Sequence, residues 1–368
     1  MDLRTGLVVS ALLSGCSLYF DNGDDDALDG GTFGDAALPS NVVARSCIRA
    51  VAVGDFMLGG NDEIFLTYVC DAPGAGGIIE YLTYTGGALV AGTARADYQE
   101  PFVRATVGND GQLPSKVLTI QQYNPGGWVF ASWGGYRYAS TRPIADAVLA
   151  NFDNMAGGDF VFAGDNAIRM QDGLFPQGTQ LDEIEVLSGK PFTRVAVANL
   201  GGDAALDLFF VASSQAGNEL GIAIQTAPKT FSLGDVVADP ATKPVPLVVA
   251  DVDGDQLPDV IGGTSHLFVR SSKTGTLTFL EEQPAEVATG DVNGDGVVDA
   301  VYLTADRTQV RRVVVSATGL LTSAPLLASG GDAFAIGDLD GDHRGDIVLL
   351  HGIGTTSSTM SVHLATTY

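Results

Sequence analysis

Apolar residues along this chain fall in short, β-branched runs divided by Gly- and Asp-rich turns, with no long stretch at helical spacing. Runs of that kind, bounded by turn residues, predict strands joined by tight hairpins. The pattern is clearest around three nine-residue stretches: DVDGDQLPD at 251–259, DVNGDGVVD at 291–299 and DLDGDHRGD at 338–346. Each is entered by an apolar run and left by another: 247–250 then 260–261, 287–288 then 300–303, and 334–336 then 347–350.

Sliding the nine-residue frame backwards finds weaker copies: NLGGDAALD at 199–207, NFDNMAGGD at 151–159, GNDGQLPSK at 108–116 and DFMLGGNDE at 55–63. All four keep apolar flanks. The frames start at 55, 108, 151, 199, 251, 291 and 338, steps of 40 to 53 residues. That is the range of four-stranded propeller blades. The expected architecture is all-β: a seven-bladed β-propeller of four-stranded antiparallel blades over residues 37–368. One strand precedes each loop, one follows it, and two complete the blade. In the sixth blade these read as 285–290, 299–304, 309–315 and 320–328. After the last loop only two strands remain, 346–351 and 359–365. The missing one is found at the front, where LPSNVVARSCIRAVAVGD (38–55) aligns without a gap on LTSAPLLASGGDAFAIGD (321–338). Residues 37–45 are therefore expected to complete the last blade and remove an open sheet edge.

The strong loops place oxygen-bearing side chains at positions 1, 3, 5 and 9: Asp251, Asp253, Asp255 and Asp259; Asp291, Asn293, Asp295 and Asp299; Asp338, Asp340, Asp342 and Asp346. So many carboxylates crowded into nine residues repel one another unless a cation lies among them. Calcium takes six to eight oxygen ligands in a tolerant geometry, whereas magnesium demands a tighter octahedron and keeps its waters. Gly254, Gly294 and Gly341 at position 4 allow the sharp bend. An EF-hand needs a Glu at position 12 and flanking helices. Position 12 is Gly262, Tyr302 and Leu349, and the flanks read as strands, so that module is rejected. About three calcium sites are expected. In the weaker copies, Met155 stands at position 5 of the 151 loop, and Lys116 is a candidate to stand in for the ion at 108–116.

These residues carry a resemblance to the FG-GAP/VCBS repeat family, the blade type of integrin α-subunit propellers and of many bacterial secreted proteins. The resemblance covers roughly residues 37–368, most clearly in the last three copies. It implies that the calcium loop joins the first two strands of each blade, that positions 1, 3, 5 and 9 are its ligands, and that partners meet the opposite face.

Residues 1–15 read as a processing signal: Arg4, an apolar stretch at 6–13, then Leu13, Ser14, Gly15 and Cys16. The apolar stretch is too short to span a bilayer. The last four residues resemble a bacterial lipobox, which implies that Cys16 is acylated and inserted in a lipid bilayer. Ser17 after it resembles the pattern of lipoproteins sent to the outer membrane. The expected location is the outer membrane or cell surface. Residues 16–36 are Gly- and Asp-rich and read as an acidic tether. With Cys16 set aside, Cys47 and Cys70 remain, at near-equal distances either side of the 55–63 loop. Antiparallel pairing then brings them nearly opposite, and a disulfide is expected in an oxidising compartment.

The formal charge is −25, from 19 basic and 44 acidic residues. Nucleic acid is not an expected partner, because phosphate binding needs clustered Lys and Arg. No zinc-protease, serine-hydrolase, P-loop or dinucleotide motif occurs. His266, His343, His351 and His363 are scattered; His266 and His363 read as packing residues of third strands. The aromatic segment with Trp128, Phe130, Trp133, Tyr136, Arg137 and Tyr138 has the composition of a sugar-stacking surface, although its alternation fits inward packing better. The function expected is a non-catalytic binding or scaffold protein, a monomer, with a protein or polysaccharide ligand. The alternative is a propeller-based polysaccharide lyase or glycoside hydrolase, which would need a His/Tyr/Arg or paired-carboxylate group on the face opposite the loops.

Overall fold

The computed structural model describes residues 32–33, 41–56, 60–68, 77–92, 95–98, 102–108, 116–123, 127–132, 136–140, 142–153, 158–171, 183–203, 205–239, 247–315 and 320–366, and all counts and absences refer to these. No α-helix occurs among them. Their strands form six four-stranded antiparallel sheets, one of five strands and a two-strand ribbon.

The sheets follow one another along the chain. The first holds Ile48–Gly54, Glu63–Tyr68, Gly77–Thr85 and Ala88–Ala91, with Arg95–Tyr98 also pairing Gly77–Thr85. The second holds Phe102–Gly108, Lys116–Tyr123, Gly127–Ser132 and Tyr136–Ser140. The third holds Asp146–Ala150, Asp159–Gly164, Ala167–Gln171 and Glu183–Ser188. The fourth holds Phe192–Ala198, Asp207–Ser214, Gly217–Ala227 and Thr230–Asp239. The fifth holds Val248–Ala250, Asp259–Gly263, Leu267–Arg270 and Leu277–Leu280. The sixth holds Pro284–Gly290, Asp299–Thr304, Val310–Val315 and Leu321–Leu327, within two residues of the expected bounds. The seventh holds Ala333–Gly337, Asp346–His351 and Ser358–His363, then Val42–Arg45 from the other end of the chain.

The first strands of successive sheets neighbour one another in turn, and Ala333–Gly337 neighbours Ile48–Gly54 again. The sheets therefore stand around a ring with their first strands innermost, the arrangement of a β-propeller. Its core lies in layers between adjacent sheets. Phe162 and Phe160 pack with Ile120 between the second and third, and Phe209 meets Phe268 at 5.7 Å between the fourth and fifth. Val301 and Leu303 pack with Ile347 and Leu349 between the sixth and seventh. Full burial of such a side chain contributes about 1.5–3 kcal/mol. Gly262, the residue that rules out an EF-hand glutamate, is small for a reason. A Cβ there would lie 2.5 Å from Leu247 and 2.7 Å from Phe268.

Ring closure is dense. Val43 pairs with Met360 and joins the apolar layer of Ile48, Leu66, Val348 and Leu350. Arg45, on this outer strand of the seventh sheet, grips the buried Glu80 of the first with two hydrogen bonds, 2.9 Å from Nε and 2.7 Å from Nη2. Such forked pairs are among the stronger hydrogen bonds. At the loop end, Asp62 Oδ2 accepts the N–H of Asp338 at 2.9 Å, and the N–H of Asp62 donates to the Asp338 carbonyl at 2.7 Å. The closing strand is Val42–Arg45, within the expected 37–45; residues 34–40 lie outside those described. One difference concerns the acidic segment at 16–36. Thr32–Phe33 pairs with Ala365–Thr366, so the ribbon reaches into the stretch read as tether.

The closure can be tested with two truncated chains, one starting at residue 41 and one at residue 46. The second leaves the Ser358–His363 edge open and Glu80 buried without Arg45. Thermal unfolding should show the chain from 46 melting several degrees below the chain from 41. Equal melting temperatures would contradict the closure.

Candidate functional site

Backbone register builds the loops identically. Ala250 pairs with Asp259, Gly290 with Asp299 and Gly337 with Asp346, so each nine-residue frame spans one hairpin end. Gly54 with Glu63, Ala150 with Asp159 and Ala198 with Asp207 repeat this in weaker copies. The second sheet departs from it: Gly108 pairs with Lys116, one residue tighter. Position 4 is left-handed as expected, with φ of +74°, +75° and +82° at Gly254, Gly294 and Gly341. Position 6 is left-handed too, at Gln256 (69°), Gly296 (79°) and His343 (68°). A non-glycine residue persists there only where its surroundings hold it.

Position 9 does more than the sequence reading assigned to it. Its carboxylate accepts the N–H of position 2 in six loops: Glu63 from Phe56 (2.8 Å), Asp159 from Phe152 (3.0 Å), Asp207 from Leu200 (2.8 Å), Asp259 from Val252 (3.4 Å), Asp299 from Val292 (3.1 Å) and Asp346 from Leu339 (2.9 Å). In three of these the other oxygen accepts an N–H at or just beyond the end of the third strand. The donors are Gln225 for Asp207, Ser272 for Asp259 and Ala365 for Asp346, at 2.8, 3.0 and 2.8 Å. Position 2 in all six is a buried apolar residue. A signal for this existed. Glu63, Asp159 and Asp207 keep the acid in copies where position 3 or position 5 has lost its ligand.

The outer acids form a second layer. Asp251 accepts from the N–H groups of Asp255 and Gln256, Asp291 from those of Gly294, Asp295 and Gly296, and Asp338 from those of Gly341 and His343. These bonds aim the carboxylates inward. Ligand oxygens of Asp251, Asp253 and Asp259 lie within 4.8 Å of one another, as do those of Asp338, Asp340 and Asp346. Asp255 and Asp342 are outside these closest groups and accept the N–H of Leu257 and Arg344. In the 291–299 loop the carboxylates are not gathered so closely. There Asn293 donates to Asp295 at 2.8 Å, and the Arg312 guanidinium lies 3.6 Å from Asp299.

Burial strains this arrangement electrostatically. Asp259 and Asp299 are pushed up to about 7 and Asp346 to about 8, first by desolvation and further by neighbouring carboxylates. Asp253, Asp291 and Asp340 are raised for the same leading reason. Asp255 Oδ2 is buried with no hydrogen bond, and its nearest cationic group is Lys273 at 3.6 Å. A hard cation among these oxygens would relieve both the repulsion and the unsatisfied atom. Each carboxylate oxygen that accepts an N–H keeps a lone pair for it. The donor set thus fits a calcium-type ion.

Other sequence-derived candidates sit as follows. Cys47 is buried and disulfide-bonded, and its neighbour Ile48 pairs with Tyr68, two residues before Cys70. Cys70, Cys16 and Trp133 lie outside the described residues. Phe130 pairs with Tyr138, and Trp128 with Ser140. His363 is a buried strand residue, but His266 stands in the turn before Leu267–Arg270. Its Nδ1 is 2.8 Å from Ser265 Oγ, and its Nε2 is 3.5 Å from the exposed Glu281. Nearby, toward the end remote from the loops, Glu282 accepts hydrogen bonds from Tyr302 and Ser323, while Arg311 donates to Ser323 and Gln309. The sequence did not reveal this group, in which the link after the fifth sheet supplies Glu282 and the sixth sheet the rest.

No family model matches the chain, and no curated protein matches it. Among solved structures it is similar to Sqt1 of Saccharomyces cerevisiae, with a TM-score of 0.52, 10% identity, and 92% of this chain and 100% of that one covered. It is also similar to BBS1N, solved in complex with ARL6DN, with a TM-score of 0.57, 13% identity, and coverages of 91% and 97%. These likenesses support the propeller fold over nearly the whole chain and carry nothing about its ligands.

The raised carboxyl groups fix the sign of a pH effect. Without metal the folded chain holds these protons more tightly than the unfolded chain does, so the unfolded state releases them first as pH rises. In chelator, stability should fall between about pH 4 and 8, the interval between an ordinary Asp value and the raised ones. Urea unfolding across that range checks it. Stability that rises steadily over the interval would contradict it.

Proposed function

We propose that this chain is an exported, calcium-binding seven-bladed propeller of the FG-GAP/VCBS type, held to a bilayer through acylated Cys16. Its role is that of a non-catalytic binding or scaffold protein. The observation that carries the calcium reading is the gathering of Asp251, Asp253 and Asp259, and again Asp338, Asp340 and Asp346, at one end of the ring. Calcium there is structural. It neutralises buried acid, fixes the hairpin ends and leaves the opposite face for a protein or glycan partner. The scaffold role is favoured over an enzyme because Glu282, Tyr302, Ser323 and Arg311 engage one another rather than converge on an open cleft.

At ~10⁻³ M calcium, a site of ~10⁻⁴ M affinity stabilises the fold by about 1.4 kcal/mol. The two gathered sites together should raise the melting temperature by several degrees over that in chelator, reversibly. Mass spectrometry of the cell-derived protein should find the lipidated N-terminus at Cys16. An unchanged melting temperature would remove the calcium reading, and an intact Met1 would remove the lipid anchor.

A further inference from the structure

The 151–159 loop has the frame of the calcium-type loops but an incomplete ligand set: Asn151, Asp153 and Asp159 stand at positions 1, 3 and 9, and Met155 at position 5. The positive charge set against its two acids comes from another sheet. The ammonium of Lys229 lies 2.6 Å from Asp153 Oδ2 and 3.1 Å from Asp159 Oδ1. The Lys229 and Asp153 side chains are each 10% exposed, and that of Asp159 is 1% exposed. Positions 3 and 9 are two of the three gathered in the 251 and 338 loops.

The hairpin that delivers Lys229 is built to reach this point. Lys229 stands at the turn between Gly217–Ala227 and Thr230–Asp239, with a left-handed φ of 57°. Either side of it, Gln225 Nε2 donates to the Phe152 carbonyl at 3.1 Å, and Phe231 meets the Phe152 ring edge-on at 5.6 Å. Position 2 of the loop is thus clamped by the same hairpin that supplies the charge. A left-handed turn residue with two ion-pair contacts, on a hairpin that makes two more to the same loop, is what a fixed, not incidental, placement looks like.

We infer that the Lys229 ammonium occupies, in the third loop, the place a divalent cation takes in the others. It acts as an internal counter-ion that also locks the fourth sheet to the third. The inference rests on the cation reading of the loop frame, yet it adds a distinct consequence. This part of the ring stays charge-compensated when calcium is withdrawn, and emptying the position would create a new cation-responsive site. Loss of one partner from a buried pair is strongly destabilising, because the other is left uncompensated.

The test compares thermal unfolding of the full chain, K229M, D153N and K229M/D153N, each in chelator and in millimolar calcium. In chelator, K229M should melt about 5 °C or more below the parent. The double variant should lose clearly less than the two single losses together. Calcium should raise K229M by more than it raises the parent. Additive losses in chelator, or a K229M that melts with the parent, would overturn the inference. So would a K229M whose calcium response only equals that of a parent that does respond. A parent with no calcium response, but with coupling between Lys229 and Asp153 in chelator, would remove the calcium reading and uphold the internal counter-ion.

Discussion

The structure depends on a carboxylate buried where the second strand begins in every sheet but the second, which has Lys116 there. At Asp207, Asp259 and Asp346 it accepts an N–H from the loop and another from the end of the third strand. One side chain thereby fixes the hairpin end, seats the apolar residue at position 2 and ties in the next strand. Two N–H groups that would otherwise be buried without partners are satisfied, each worth about 1–3 kcal/mol if left unmade. The cost is a charge held out of water, visible in how far desolvation raises these groups. A nearby positive charge offsets that cost, and the loops find it in different ways. Asp159 has Lys229, Asp299 has Arg312 nearby, and the 251 and 338 loops gather further acids suited to a metal.

This division explains what was legible in the sequence. The repeat shows because the buried acid, the position 4 glycine and the apolar flanks are each required locally, so they recur at fixed spacing. The closing strand showed because residues 38–55 repeat residues 321–338 without a gap, and the structure pairs Val42–Arg45 with Ser358–His363. The separate role of position 9 was half-visible, in its survival in the 55, 151 and 199 copies, where position 3 or 5 had lost its ligand.

The remainder was hidden because it joins different repeats. Lys229 serves a loop of the preceding sheet, so no reading within one frame finds it; Lys116 drew notice for its own loop because it occupies the frame itself. Arg45 and Glu80 meet only once the ring is closed. His266 read as a strand residue, but the strand begins at Leu267, and that single position turns it out beside Glu281. The left-handed position 6 escaped notice because Gln256 and His343 give no glycine to mark it.

The central claim is that one loop does two separable jobs: the buried acid builds the hairpin, and the outer acids hold a cation. Thermal unfolding of D207N and D253N, each with and without calcium, separates them most directly. D207N should be destabilised by a similar amount in both conditions. D253N should match or exceed the parent in chelator, where it removes one of the crowded charges, and fall below it only in calcium. A D253N that is equally destabilised in chelator and in calcium would contradict the account.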